Sequence, residues 1–115
     1  MKVRAINSSE NNKIFILDEN FEIKNIDSVK KRILSNIKNG FDIILNFENV
    51  NEITSKGLGF LVSILKMVKK NNRKLKVVNL QPFVREVIKT TQLNRVLDIY
   101  EDLTKLKQGV NYGEW

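Results

Sequence analysis

The run Ile43-Ile44-Leu45-Asn46-Phe47 constrains this chain more than any other stretch. Apolar side chains at successive positions of a strand point to opposite faces, so such a run is stable only where both faces of a sheet are covered. A second strand-like run follows at Leu75-Lys76-Val77-Val78. Between them, apolar residues recur at 58, 61, 62, 65 and 68, the spacing of one helix face. Strand, loop, helix and strand in this order predict a parallel pair joined by a right-handed crossover. The loop is Asn51-Glu52-Ile53-Thr54-Ser55-Lys56-Gly57. Thr54 or Ser55 can cap the helix by accepting from an amide one turn on. Gly57 and Gly59 each cost the helix about 1 kcal/mol against alanine. Two such residues in a first turn imply a close approach to the backbone there.

The flanking sequence fills in one domain. Val3–Ile6 and Lys13–Leu17 are short β-type runs around a polar cluster at 7–12, a hairpin signal. A stripe of Ile26, Val29, Ile33 and Ile37 marks a helix from about Asp27 to Asn39, stopped by Gly40 where a left-handed residue is wanted. Pro82 opens a further helix, with Phe83, Val87 and Ile88 as its buried face. Val96–Tyr100 reads as a short strand or extended segment and 101–107 as a last short helix. The expectation is an α/β fold over residues 1–108: a mixed β-sheet of four to five strands with helices packed mainly on one side. Residues 109–115 are expected to form a loose tail.

Composition narrows the chemistry. The chain has no Cys and no His, which removes thiolate metal sites, the commonest general base and Ser-His catalysis. Glu22, Glu48 and Glu52 form no recognisable acid–base pair, and neither complete glycine-rich phosphate-loop pattern is present. No catalytic residue, metal, cofactor or small-molecule substrate is expected. The start MKVRAINSSE lacks the apolar core of a signal peptide, and Leu58–Val68 is too short to span a bilayer. A cytoplasmic, non-enzymatic protein that does not span a membrane is the expectation.

The net charge of +7 is concentrated. Residues 56–76 hold seven basic groups and no acid, while the other residues hold 13 of each sign. A basic patch attracts nucleic acid or an anionic membrane. Lysines near a helix C-terminus also complement its dipole. No aromatic residues interleave the run as a base-stacking platform needs, so nucleic acid is not the expected partner. The role of Lys66–Lys76 stays open between these readings.

The order of motifs from Asn46 to Leu103 resembles the STAS domain, as found in bacterial anti-sigma factor antagonists. The similarity lies in a buried strand before Ser55-Lys56-Gly57-Leu58-Gly59, a strand followed by a Pro82-initiated helix, and Thr91-Gln92-Leu93 before the final strand. Phe21-Glu22 stands where the family usually has a Leu-Asp pair. The resemblance implies a regulatory protein-binding module working by partner switching. Its partner would be an anti-sigma factor that is also a serine kinase, and Ser55 would be the phosphorylated position. Thr54 and Lys56 replace the Asp and the small residue that commonly flank this serine. A STAS subunit or scaffold of a transporter or signalling complex, without a phosphoswitch, is therefore the alternative.

The partner surface is expected to comprise Thr54, Ser55, Lys56, Gly57, Gly59, Phe60, Ser63, Ile64 and Met67. At about 100° per residue, Leu58, Leu61, Val62 and Leu65 share one side of the helix. Phe60, Ile64 and Met67 fall nearly opposite. If the first set faces the sheet, the second forms an apolar contact strip with Lys56 at its rim. Covering of that strip by neighbouring helices is the competing reading.

Overall fold

A computed structural model describes residues 2–7, 11–18 and 23–109. Along the chain the elements are β1 (Lys2–Asn7), β2 (Asn12–Asp18), α1 (Ile23–Lys38), β3 (Asp42–Asn49), α2 (Ser55–Lys70), β4 (Leu75–Val78), α3 (Pro82–Thr90), a 3₁₀ turn (Leu93–Arg95), β5 (Asp98–Tyr100) and α4 (Leu103–Gln108). The strands form one mixed five-stranded sheet in sequence order. β1 and β2 make an antiparallel hairpin, and β2 to β5 run parallel.

The expected double burial of the central strand is observed: Ile43 to Phe47 are all buried. Ile43, Leu45 and Phe47 join Phe15, Val77 and Ile99 under α1, α2 and α3, in the main core. Ile44 points the other way, into a smaller cluster with Ile14, Val78 and Tyr100, which Leu103 and Leu106 of α4 cover. Burial there pushes the Tyr100 phenol above its ordinary range, and the nearby Asp98 carboxylate adds to the shift. Three helices thus cover one face, and one short helix covers the other.

Local chemistry sets most boundaries. Gly40 ends the α1 connection at φ +91°, a conformation that a side chain would strain. α1 begins before Asp27 because Ile26 already belongs to its buried stripe with Val29, Ile33 and Ile37. Pro82 occupies the first turn of α3, where its missing N–H is not needed. β5 is shorter than the expected Val96–Tyr100. Gln92 turns left-handed at φ +63°, and the amides of Val96 and Leu97 bond back to the Leu93 carbonyl instead of joining the sheet. The hairpin tip, Glu22 and the Phe21-Glu22 pair lie outside the described residues, as does the tail beyond Gly109.

Two side-chain assignments need correction. In α2 the buried residues are Gly57, Phe60, Leu61, Ile64 and Val68. They span an arc of about 100° whose centre falls between the two stripes that the sequence offered. Phe60 is 1% exposed and Ile64 fully buried, so neither forms an open contact strip. Met67 is half-buried against the same core, with Leu58 and Leu65 on the other flank. The physical reason is that α2 rests on the sheet while α1 packs along one side of it. In α3 the buried residues are Val84 and Ile88, and Phe83 stands 57% exposed. Val84 and Ile88, four residues apart, set the inward direction, and Phe83 lies about 100° away from Val84.

Candidate functional site

The loop between β3 and α2 is clamped before it reaches the surface. Val50 and Ile53 are buried in the main core, while Asn51 and Glu52 are exposed. Thr54 is the cap of α2: its backbone is extended, its Oγ1 accepts from the Gly57 amide at 3.4 Å, and its carbonyl accepts from Leu58 at 2.9 Å. With capping supplied by Thr54, Ser55 becomes the first helical residue and is exposed, as is Lys56. The first turn of α2 carries no acidic residue. Its orphan amides and positive dipole end therefore meet no competing carboxylate from that turn.

Gly57 and Gly59, which the sequence leaves equivalent, differ in place. Gly57 is buried on the inner face. Gly59 is exposed, and a Cβ added there would meet nothing within 4 Å. No group of the described chain therefore makes the close approach expected at Gly59. The residue leaves bare helix backbone at the rim of a shallow groove of about 330 Å³ between α1 and α2. Lys56, Ser63, Asp27 and Lys30 line that groove, with Ile26 and Phe60 behind them. Of the expected surface, the structure brings together Ser55, Lys56, Gly59 and Ser63 in accessible positions. It assigns Gly57, Phe60 and Ile64 to the interior.

Beside this loop lies a polar knot that the sequence analysis did not anticipate. Asn46 is 3% exposed; its Oδ1 accepts from the Glu48 amide and from Asn79 Nδ2, each at 3.0 Å, and its Nδ2 donates to Glu48 Oε1 at 3.3 Å. Gln81 Nε2 donates to the Glu48 carbonyl at 2.6 Å, and the Asn79 amide to Glu101 at 3.1 Å. These bonds tie the C-terminal end of β3 to the segments that leave β4 and β5. The signal was one polar residue inside an otherwise apolar buried strand, since buried amides need partners. Phe83, at the start of α3, was assigned to that helix's buried face and stands instead on the surface.

Among the described residues, no three His, Cys, Asp or Glu side chains gather as a metal site would need. No described helix is long and apolar enough to cross a membrane. Exposed backbone, a serine at a helix start and a shallow groove make this end of the sheet a surface suited to a macromolecular contact. The chain belongs to the STAS domain family, whose sequence model matches residues 4–106.

Solved structures share the fold. A candidate anti-sigma factor antagonist from Thermotoga maritima superimposes with a TM-score of 0.84 at 24% identity, over 94% of this chain and 93% of that one. The anti-sigma factor antagonist SpoIIAA in its unphosphorylated form gives 0.77 at 16% identity, over 93% and 95% of the two chains. The phosphorylated form of Bacillus SpoIIAA gives 0.73 at 15% identity, over 93% and 98%. No match was found among curated proteins.

Proposed function

We propose that the protein is a cytoplasmic, non-enzymatic regulatory module of the anti-sigma factor antagonist type, which binds a protein partner over the start of α2. The observation that carries this is Gly59. A glycine at an exposed helical position costs about 1 kcal/mol of helix stability, and no packing within the described chain offsets it. A partner that lies directly on the helix backbone accounts for the choice. Ser55 and Lys56 precede it on the same surface, and exposed Phe83 lies in the first turn of the helix that follows the neighbouring strand. An anti-sigma factor that is also a serine kinase is the partner class favoured by the family, with Ser55 as the phosphoacceptor.

Ser55 suits that role physically. Its hydroxyl is not the helix cap, and a phosphate there would sit against the amides and positive dipole of the α2 start. Added charge at a surface that a partner must cover would oppose docking. Capture of the partner from native cells, with mass spectrometry of Ser55, identifies the pair. Ser55→Asp should then weaken the complex at least about tenfold, or about 1.4 kcal/mol. Equal affinities for wild type and Ser55→Asp would remove the switch. Thr54 and Lys56 favour a second reading, a STAS scaffold or transporter subunit bound through the same surface without phosphorylation. That reading predicts capture of the partner with Ser55 unmodified.

A further inference from the structure

The three helices that link parallel strands must each run back toward the strand starts. Their last turns therefore meet at one end of the molecule, carrying Lys38 on α1, Lys69 and Lys70 on α2, and Lys89 on α3. Lysines in last turns complement helix dipoles, so those four have a structural use. Lys74 and Arg95 lie outside the α-helices, and both are exposed at the same end. Two acids stand among them at strand starts: Asp42, 3.7 Å from Arg73, and Asp98. A groove of about 320 Å³ opens where the end of α2 meets the starts of β4 and β5. Lys69, Lys74 and Arg95 line it together with Leu65 and with Val96, which is 49% exposed.

We propose that this end docks the protein on an anionic lipid surface. Cations crowded within one end face act on a charged plane together, since the Debye length is about 8 Å at physiological salt. The exposed Val96 beside them gives an apolar tip of the kind that enters the headgroup boundary. A nucleic acid fits less well, because no aromatic ring lines the groove to stack a base. Docking in this way orients the molecule. The length of α2 places Ser55 about 22 Å from Lys70, so the partner surface would point away from the lipid. The inference stands apart from the identity of any protein partner.

The test is co-sedimentation with vesicles of phosphatidylcholine containing about 30% phosphatidylglycerol, against phosphatidylcholine alone, at low and high salt. Binding should favour the anionic vesicles at least about tenfold and disappear at high salt. Lys69→Glu with Arg95→Glu should lower the affinity at least about tenfold. Lys31→Glu in the middle of α1 with Lys105→Glu near the start of α4 removes the same net charge away from that end and should change it less than about threefold. Lys69→Gln with Arg95→Gln, expected to weaken binding by a smaller factor, serves if the glutamate pair unfolds. Equal losses for the two charge-reversed pairs, no preference for anionic vesicles, or tighter binding of a duplex oligonucleotide or polyglutamate at the same salt would overturn the proposal.

Discussion

On its inner face α2 presents Gly57, Phe60, Leu61, Ile64 and Val68; on its outer face it presents Ser55, Lys56, Gly59 and Lys66. The inner residues answer to the fold. Each is fixed by what it touches in the sheet and α1, and a change of volume there is felt by the whole core. Gly59 on the outer face answers to nothing that the described residues supply. Alanine would fit there and would strengthen the helix, so under the proposed function the glycine serves a contact with a partner. One helix thus presents, within two turns, a face set by packing and a face that packing leaves open.

Phe60→Ala should show the larger effect, destabilising the isolated domain by about 3–5 kcal/mol as a core aromatic is lost. Urea unfolding measures it, and a loss below about 1 kcal/mol would place Phe60 outside the core and dissolve the contrast. Gly59→Ala should do the opposite, stabilising the free domain by up to about 1 kcal/mol while weakening the partner complex. Thermal unfolding and partner titration of the same variant separate the two effects. A destabilised Gly59→Ala would mean that the fold, and not a partner, requires the glycine.

Sequence carried the architecture because its signals there are local. The glycine at 40 and the proline at 82 act through backbone chemistry, and the unbroken apolar run at 43–47 through the alternation of side chains along a strand, all of which residue order expresses directly. The phase of α2 was not legible in the same way. Apolar residues occupy positions 58, 60, 61, 62, 64, 65, 67 and 68, most of its circumference, so periodicity offered two stripes and could not weigh them. Only the position of α1 decides between them, and that is a tertiary fact. Capping was ambiguous between Thr54 and Ser55 for a similar reason, since adjacent hydroxyl residues satisfy one rule. Asn46 betrayed itself as polar in a buried strand, but its partner Asn79 lies 33 residues away. Phe83 was misplaced because an aromatic residue beside Pro82 is apolar without being inward.

The Asn46 knot has a consequence in the time domain. Glu48 sits at the exposed end of β3, yet its amide is bonded to a side chain that is itself almost sealed from water. Its hydrogen should exchange with deuterated solvent at the pace of the interior, waiting for the Asn46–Asn79 clasp to open. The same clasp joins the roots of the two loops that lead to Ser55 and Phe83. A load that opened this clasp would then be registered as faster exchange at the bases of both loops.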